Sequence, residues 1–128
     1  MGDTRFTRMY ADADGDTHFE DVPLKMGPAV AAQDTPMVDV AVPVDVTGLI
    51  FTRMEPGFTS DWHPAPRRQF VIVLSGGLEL TGGDGETRHF GPGGVFLAED
   101  TGGKGHQART TGDSGCLVVM VPCAPTMP

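Results

Sequence analysis

Short apolar runs, each cut off by glycine or proline, most limit what this chain can fold into. The clearest series begins at Gln69-Phe-Val-Ile-Val-Leu74 and is stopped by Gly76-Gly77. Leu78-Glu-Leu-Thr81 follows, then Gly82-Gly-Asp-Gly85, where Asp-Gly is a strong hairpin signal. Glu86-Thr-Arg-His-Phe90 returns, and Gly91-Pro-Gly-Gly94 turns again. Val95-Phe-Leu-Ala98 and Gln107-Ala-Arg-Thr110 flank a loop from Glu99 to Gly105, and Cys116–Val121 is the last run. Upstream, Thr47–Glu55 reads as a strand closed by Pro56-Gly57. No segment shows helical periodicity. With 18 glycines and 11 prolines in 128 residues, such turns recur along the whole chain. The pattern predicts an all-β fold, a sandwich or a barrel.

The first part of the chain is less regular. Residues 1–20 are polar and acidic, with a short apolar start at Phe19 and Val22. Met37-Val-Asp-Val-Ala-Val-Pro-Val-Asp-Val46 alternates with period two and reads as a strand, which Pro43 pushes toward a sheet edge. Asp12-Ala-Asp14-Gly-Asp16 has the start of a calcium loop, but Thr17 and Pro23 stand where Gly and Glu are required, so a turn is expected. No internal repeat is present. The expectation is one domain, with residues 1–46 as an arm and edge strands on a barrel core over 47–128.

Charge and cysteines exclude several classes. Seventeen acidic against nine basic residues give a formal net charge of −8. That surface repels phosphate backbones and anionic lipids, so neither nucleic acid nor membrane is an expected partner. No apolar run approaches the roughly 20 residues of a membrane helix. Met1–Phe6 carries no apolar segment of the signal-peptide kind, and a soluble cytoplasmic protein is expected. Cys116 and Cys123 bracket one extended run, which would hold their Cα atoms roughly 23 Å apart at about 3.3 Å per residue. A disulfide between them is not expected.

One stretch carries the chemistry. Gly57-Phe-Thr-Ser-Asp-Trp-His63-Pro-Ala65-Pro-Arg-Arg-Gln69-Phe-Val-Ile-Val-Leu-Ser-Gly76 resembles the first motif of the cupin superfamily. In that motif the sites occupied here by His63, Ala65 and Gln69 are His, His and Glu. Pro92-Gly93-Gly94 supplies the Pro-x-Gly of the second motif, with Gly85 one residue too early. The second-motif His position falls on Leu97, and His106 is identified as that histidine, displaced by a longer loop. The stretch Leu97–His106 looks like that of small single-domain bacterial cupins. The resemblance covers about residues 47–121.

The resemblance implies a cupin-type double-stranded β-helix, or jelly-roll, barrel. His63, position 65 and Gln69 would point inward, with His106 opposite. In metal-binding relatives three histidines and one Glu hold a divalent ion. Here His63, Gln69 and His106 are the candidate metal ligands, for Mn, Fe, Ni, Cu or Zn. A neutral amide in place of a carboxylate, and one imidazole fewer, both lower affinity, so a metal-free pocket stays open beside the metal site. His63 and His106 are the candidate catalytic residues. Trp62 could form an apolar wall, and Arg53 or Arg68 could hold a substrate oxygen. Glu99 and Asp100 begin the loop before His106; one could orient it or act as a general base, and the simpler reading is a solvated pair. His18, in the N-terminal arm, could approach a partner's site, and His89 reads as a surface residue.

The resulting expectation is a small-molecule enzyme moving protons beside a carbonyl, of isomerase, cyclase, dehydratase or lyase type, acting as a homodimer. The alternatives are a metal-dependent dioxygenase and a non-catalytic barrel that binds a small ligand. One fold hosts many functions, so the residues of the site must decide among them.

Overall fold

The computed structural model describes residues 4–28 and 38–124. Its strands are β1 (Arg5–Ala11), β2 (Thr17–Pro23), β3 (Gly27–Pro28), β4 (Asp39–Val40), β5 (Ile50–Met54), β6 (Gln69–Gly76), β7 (Leu78–Thr81), β8 (Thr87–Phe90), β9 (Val95–Ala98), β10 (Gln107–Thr110) and β11 (Cys116–Pro122). Six form one sheet in the order β2-β1-β9-β6-β11-β5. A second sheet has the order β10-β7-β8, and β3 pairs with β4 alone. No helix occurs among the described residues. This is the all-β jelly roll that the short, turn-punctuated runs predict.

Alternation along the strands builds the core. In β6, Gln69, Val71 and Val73 are buried, while Phe70 and Ile72 are only partly covered and Leu74 is exposed. Leu78 and Leu80 of β7, Met9 of β1 and Val118 of β11 join them in one buried cluster. Removing such a side chain from water contributes about 1.5–3 kcal/mol. Gly76 has a φ of 78° and allows the sharp passage from β6 into β7. A Cβ there would collide with the carbonyl of Gly115. Both cysteines are free and buried, as the extended run between them predicts.

The N-terminal residues differ from the sequence reading. They form a hairpin, with β1 pairing β2 antiparallel from Arg5↔Pro23 to Ala11↔Thr17. Of these two strands only β2 lies at a sheet edge; β1 runs parallel to β9, with Thr7↔Phe96 and Met9↔Ala98 in register. Composition hides this, because the inward residues of β1 include a threonine, Thr7, and the outward ones include arginine. The valine alternation also misleads. Of that stretch only Asp39–Val40 forms a ladder, paired with Gly27–Pro28, and Val46 makes an isolated bridge to Cys123. Val42 is 82% exposed. A period-two pattern becomes a strand only when a partner strand satisfies its backbone, and Pro43 donates no hydrogen bond. Met37 of that stretch lies outside the described residues.

The Asp12–Asp16 segment is the expected turn. The Asp12 carboxylate accepts hydrogen bonds from the backbone N–H groups of Asp14 and Asp16, at 2.9 and 3.0 Å. Its other oxygen lies 2.6 Å from His18 Nε2, and Asp84 lies 2.8 Å from His18 Nδ1. His18 thus ties the β1–β2 turn to the β7–β8 turn of the same chain. Hydrogen bonds from Asp12 and then Asp84 raise the imidazole's pKa above its ordinary value. Tyr10 packs beside the ring, with Arg8 over the tyrosine. A raised folded-state pKa means that this clamp adds stability fully below about pH 6.5, the unperturbed histidine value, and loses it as pH rises through the raised pKa. His18→Gln should therefore lower the melting temperature most between about pH 5 and 6.5, with the gap shrinking at alkaline pH. Thermal melts of both proteins across pH 5–9 would refute the clamp if the gap were flat or widened with pH.

Candidate functional site

The connection from β5 to β6 runs beside β10 and closes one end of the second sheet. Phe58 and Thr110 exchange hydrogen bonds, and Ser60 N–H donates to the Ala108 carbonyl at 2.9 Å. At the end of this run His63 and His106 face each other as an antiparallel bridge. His63 N–H donates to the His106 carbonyl at 3.1 Å, and His106 N–H donates back to the His63 carbonyl at 2.9 Å. Directly opposed residues in such a pair send their side chains to the same face. The two imidazole centroids are accordingly 4.6 Å apart. Gly105 makes the approach possible: its φ is 89°, and a Cβ there would sit inside the carbonyl group of His63.

The two rings are held differently. His63 is exposed at the mouth, and its Nδ1 lies 2.8 Å from the Asp61 carbonyl. A carbonyl only accepts, so Nδ1 carries a hydrogen and Nε2 is the ring nitrogen left for a ligand. His106 is buried, with Nδ1 2.7 Å from Asp100 Oδ2. Asp100 is fully buried and also accepts from Thr17 Oγ1 at 2.8 Å. Its other oxygen has no hydrogen-bond partner among the described residues. Among the described residues the carboxylate hydrogen-bonds His106 and Thr17 alone, and it fixes the tautomer and orientation of the ring.

This corrects the reading of Glu99 and Asp100 as a solvated loop pair. Glu99 points out and binds Arg8 and Arg68 at 2.5 and 2.7 Å, whereas Asp100 points in. Burial pushes the Glu99 carboxyl up, but the Arg68 and Arg8 guanidiniums together hold it below the usual range. The signal was present in the sequence: alternation beyond β9 puts Ala98 in, Glu99 out and Asp100 in.

Behind the histidines lies a cavity of about 610 Å³. Met9, Met54, Met120, Phe58 and Phe96 supply much of its wall, with Val71, Leu78, Leu80, Ala98 and Ala108. Thr52, Gln69, His63 and His106 are its polar lining, and Arg53 and Glu55 stand exposed at the rim. The structure therefore brings His63, Ala65, Gln69, His106 and Arg53 to one cavity. Arg68 is engaged with Glu99 and does not line the cavity, and neither does Trp62, which is 48% exposed. His18 is committed to Asp12 and Asp84, and exposed His89 bonds Thr111 at 2.9 Å. The methionines and Phe58 were not picked out as site residues, because their sequence pattern is that of any core.

The family model of the cupin domain matches residues 50–122, and the chain belongs to the cupin domain family. No curated protein matches the chain. Among solved structures it is similar to the conserved SPY1581 protein of unknown function from Streptococcus pyogenes, at 21% identity and a TM-score of 0.47, covering 67% of this chain and 72% of that one. It is also similar to protein NMB1881 from Neisseria meningitidis, at 12% identity and a TM-score of 0.44, covering 77% and 100%.

Many cupins hold a metal, and the donor set can be tested against one. Ala65 offers a methyl group where the metal-binding pattern has an imidazole. Gln69 Oε1 accepts from Arg67 Nη1 at 3.0 Å, while Nε2 faces Met120 Sδ at 3.8 Å. A guanidinium only donates, so the amide oxygen must face Arg67, and a cation at that oxygen would meet a second positive charge. No group of three or more His, Cys, Asp or Glu suited to a metal occurs among the described residues. Two imidazoles remain, and the residues present do not fit a resident divalent ion held in the family's manner.

Restoring both missing donors should reverse this. Ala65→His with Gln69→Glu should retain close to one Zn(II) or Mn(II) per chain after dialysis, at least about tenfold tighter than the parent. Elemental mass spectrometry on both proteins decides it; equal metal content would show that the cavity does not set the affinity.

Proposed function

We propose that this protein is a small-molecule enzyme that moves protons beside a carbonyl, using its two imidazoles and no resident metal. The observation that carries the reading is the buried Asp100–His106 pair at 2.7 Å, set against a second imidazole 4.6 Å away at the mouth of an apolar cavity. A side chain oriented by a buried carboxylate, with its other nitrogen open, is the arrangement of a general base. Asp100 is a positioning residue; His106 and His63 are the groups that would touch the substrate.

In this scheme His106 Nε2 takes the proton from the carbon next to the carbonyl. The electron pair of the broken C–H bond passes into the enolate, and its charge collects on oxygen. His63, in its acid form, donates a proton to that oxygen. His106 then protonates the same or another carbon while His63 takes back the proton on oxygen, which re-forms the carbonyl and completes an exchange or an isomerisation with no oxidant consumed. The dioxygenase alternative draws little support, because Gln69 Oε1 is committed to Arg67. The cavity's apolar lining favours ligand binding under either the catalytic or the non-catalytic reading.

Proton exchange gives a direct test. Neutral cyclic ketones that bind the protein, as judged by saturation-transfer NMR, should lose their α-proton signals in D2O at least about 100-fold faster than in buffer. His106→Asn and His63→Ala should each remove most of that acceleration. Ketones that bind without any accelerated exchange would sink the acid–base reading and leave a binding module.

We also infer pairing with a second copy. β5 is an edge strand, and Leu49, Phe51 and Leu74 are 59%, 68% and 45% exposed. An apolar edge strand can pair antiparallel with its own copy about a two-fold axis, which covers both edges at once. Light scattering after size-exclusion chromatography should give a dimer for the parent and a monomer for Phe51→Asp. A monomeric parent at micromolar concentration would refute the pairing.

A further inference from the structure

The cavity also constrains what enters it. Its lining includes three methionines, Met9, Met54 and Met120, together with Phe58 and Phe96. Thioether sulfur and aromatic rings are polarisable and pack well against flat unsaturated systems. The polar groups between them are already occupied. Thr52 Oγ1 donates toward Met120 Sδ at 3.6 Å, and both ends of the Gln69 amide are engaged. The Nδ1 atoms of His63 and His106 are likewise taken, so their Nε2 atoms are what remain for a ligand. Among the described residues the lining has, besides the two imidazoles, no ionisable group except Glu55 and Arg53, exposed on the rim and of opposite sign.

We propose that the cavity selects an uncharged, flat, unsaturated ring compound with a single oxygen function, a bicyclic or tricyclic ketone or phenol, and rejects ionic small molecules. An ionised group among those methionines would lose its hydration with nothing to replace it. The net charge of −8 opposes anions at longer range as well. The size agrees: about 610 Å³ lies within the roughly 300–1,000 Å³ of drug-sized ligand sites. Water filling that space, about 20 molecules at about 30 Å³ each, would find few partners and be displaced readily. The proposal rests on the cavity being the binding site, as in the reading above, and does not require that proton transfer occur there.

Two dyes that share a ring system isolate the charge. N-phenyl-1-naphthylamine is neutral, and 1-anilinonaphthalene-8-sulfonate is its sulfonated counterpart. In fluorescence titrations the neutral dye should saturate at one site per chain and bind at least about tenfold tighter than the sulfonate. 2-Tetralone should compete with it. Ala108→Trp and Ala65→Leu, which fill the cavity from two different elements, should each weaken the neutral dye at least about tenfold. Val42→Ser, at a position 82% exposed and outside the cavity lining, should leave it unchanged. Circular dichroism checks folding of each variant, and either filled variant alone suffices. Sulfonate binding as tight as the neutral dye, or neutral-dye binding untouched in a folded filled variant, overturns the proposal. Neutral-dye binding as expected, with no proton exchange on bound ketones, would leave this ligand class standing and defeat the catalytic reading alone.

Discussion

The site depends on one reciprocal pair of backbone hydrogen bonds, between His63 and His106. Each contributes only about 1 kcal/mol in net terms. Their effect is geometric: they join a loop that carries no ladder of its own to the start of β10, and they set two side chains on one face. The pairing exists only because Gly105 has no Cβ. A single glycine thus decides whether the two imidazoles stand side by side or apart, as a surface residue and a core residue.

Around that pair the protein separates orientation from chemistry. Asp100 and Thr17 belong to the interior and hold His106 from behind. Glu99, one residue earlier, belongs to the exterior and gathers Arg8 and Arg68. Two adjacent acids therefore do opposite work, one fixing a ring and the other tying β1 and the segment just before β6 to the end of β9. Gln69 shows the same division within one side chain. It occupies the place of a family carboxylate, yet its amide is spent on Arg67 and Met120 and seals the cavity wall.

Much of this was legible in the sequence, and the failures have physical causes. The runs from Gln69 to Val121 announced their strands because apolar residues alternate inward and Gly or Pro stops each one. His63 and His106 were found by motif spacing, although the second lay beyond its usual place. The β1–β2 hairpin was obscured because Thr7 and Thr17 are buried polar residues, 8% and 0% exposed, that the structure shelters. The valine-rich stretch erred in the opposite direction, with the right period but almost no partner strand. Arg68 and Trp62 were adjacent to the motif in sequence, but alternation and an ion pair turned Arg68 away, and Trp62 lies outside the cavity lining. Asp100 could have been placed by counting alternation onward from Ala98.

The parallel pairing of β1 with β9 has a kinetic consequence. Arg8 and Glu99, which meet across it, are 91 residues apart in the chain. Contacts of such separation close late, since the intervening chain loses its freedom before the contact forms. Thr17, which steadies Asp100, enters with the same hairpin. Without that hairpin Asp100 would lose its Thr17 partner and the cavity its Met9 wall. The hold on His106 from behind is therefore completed only when residues 83 apart in the chain have met.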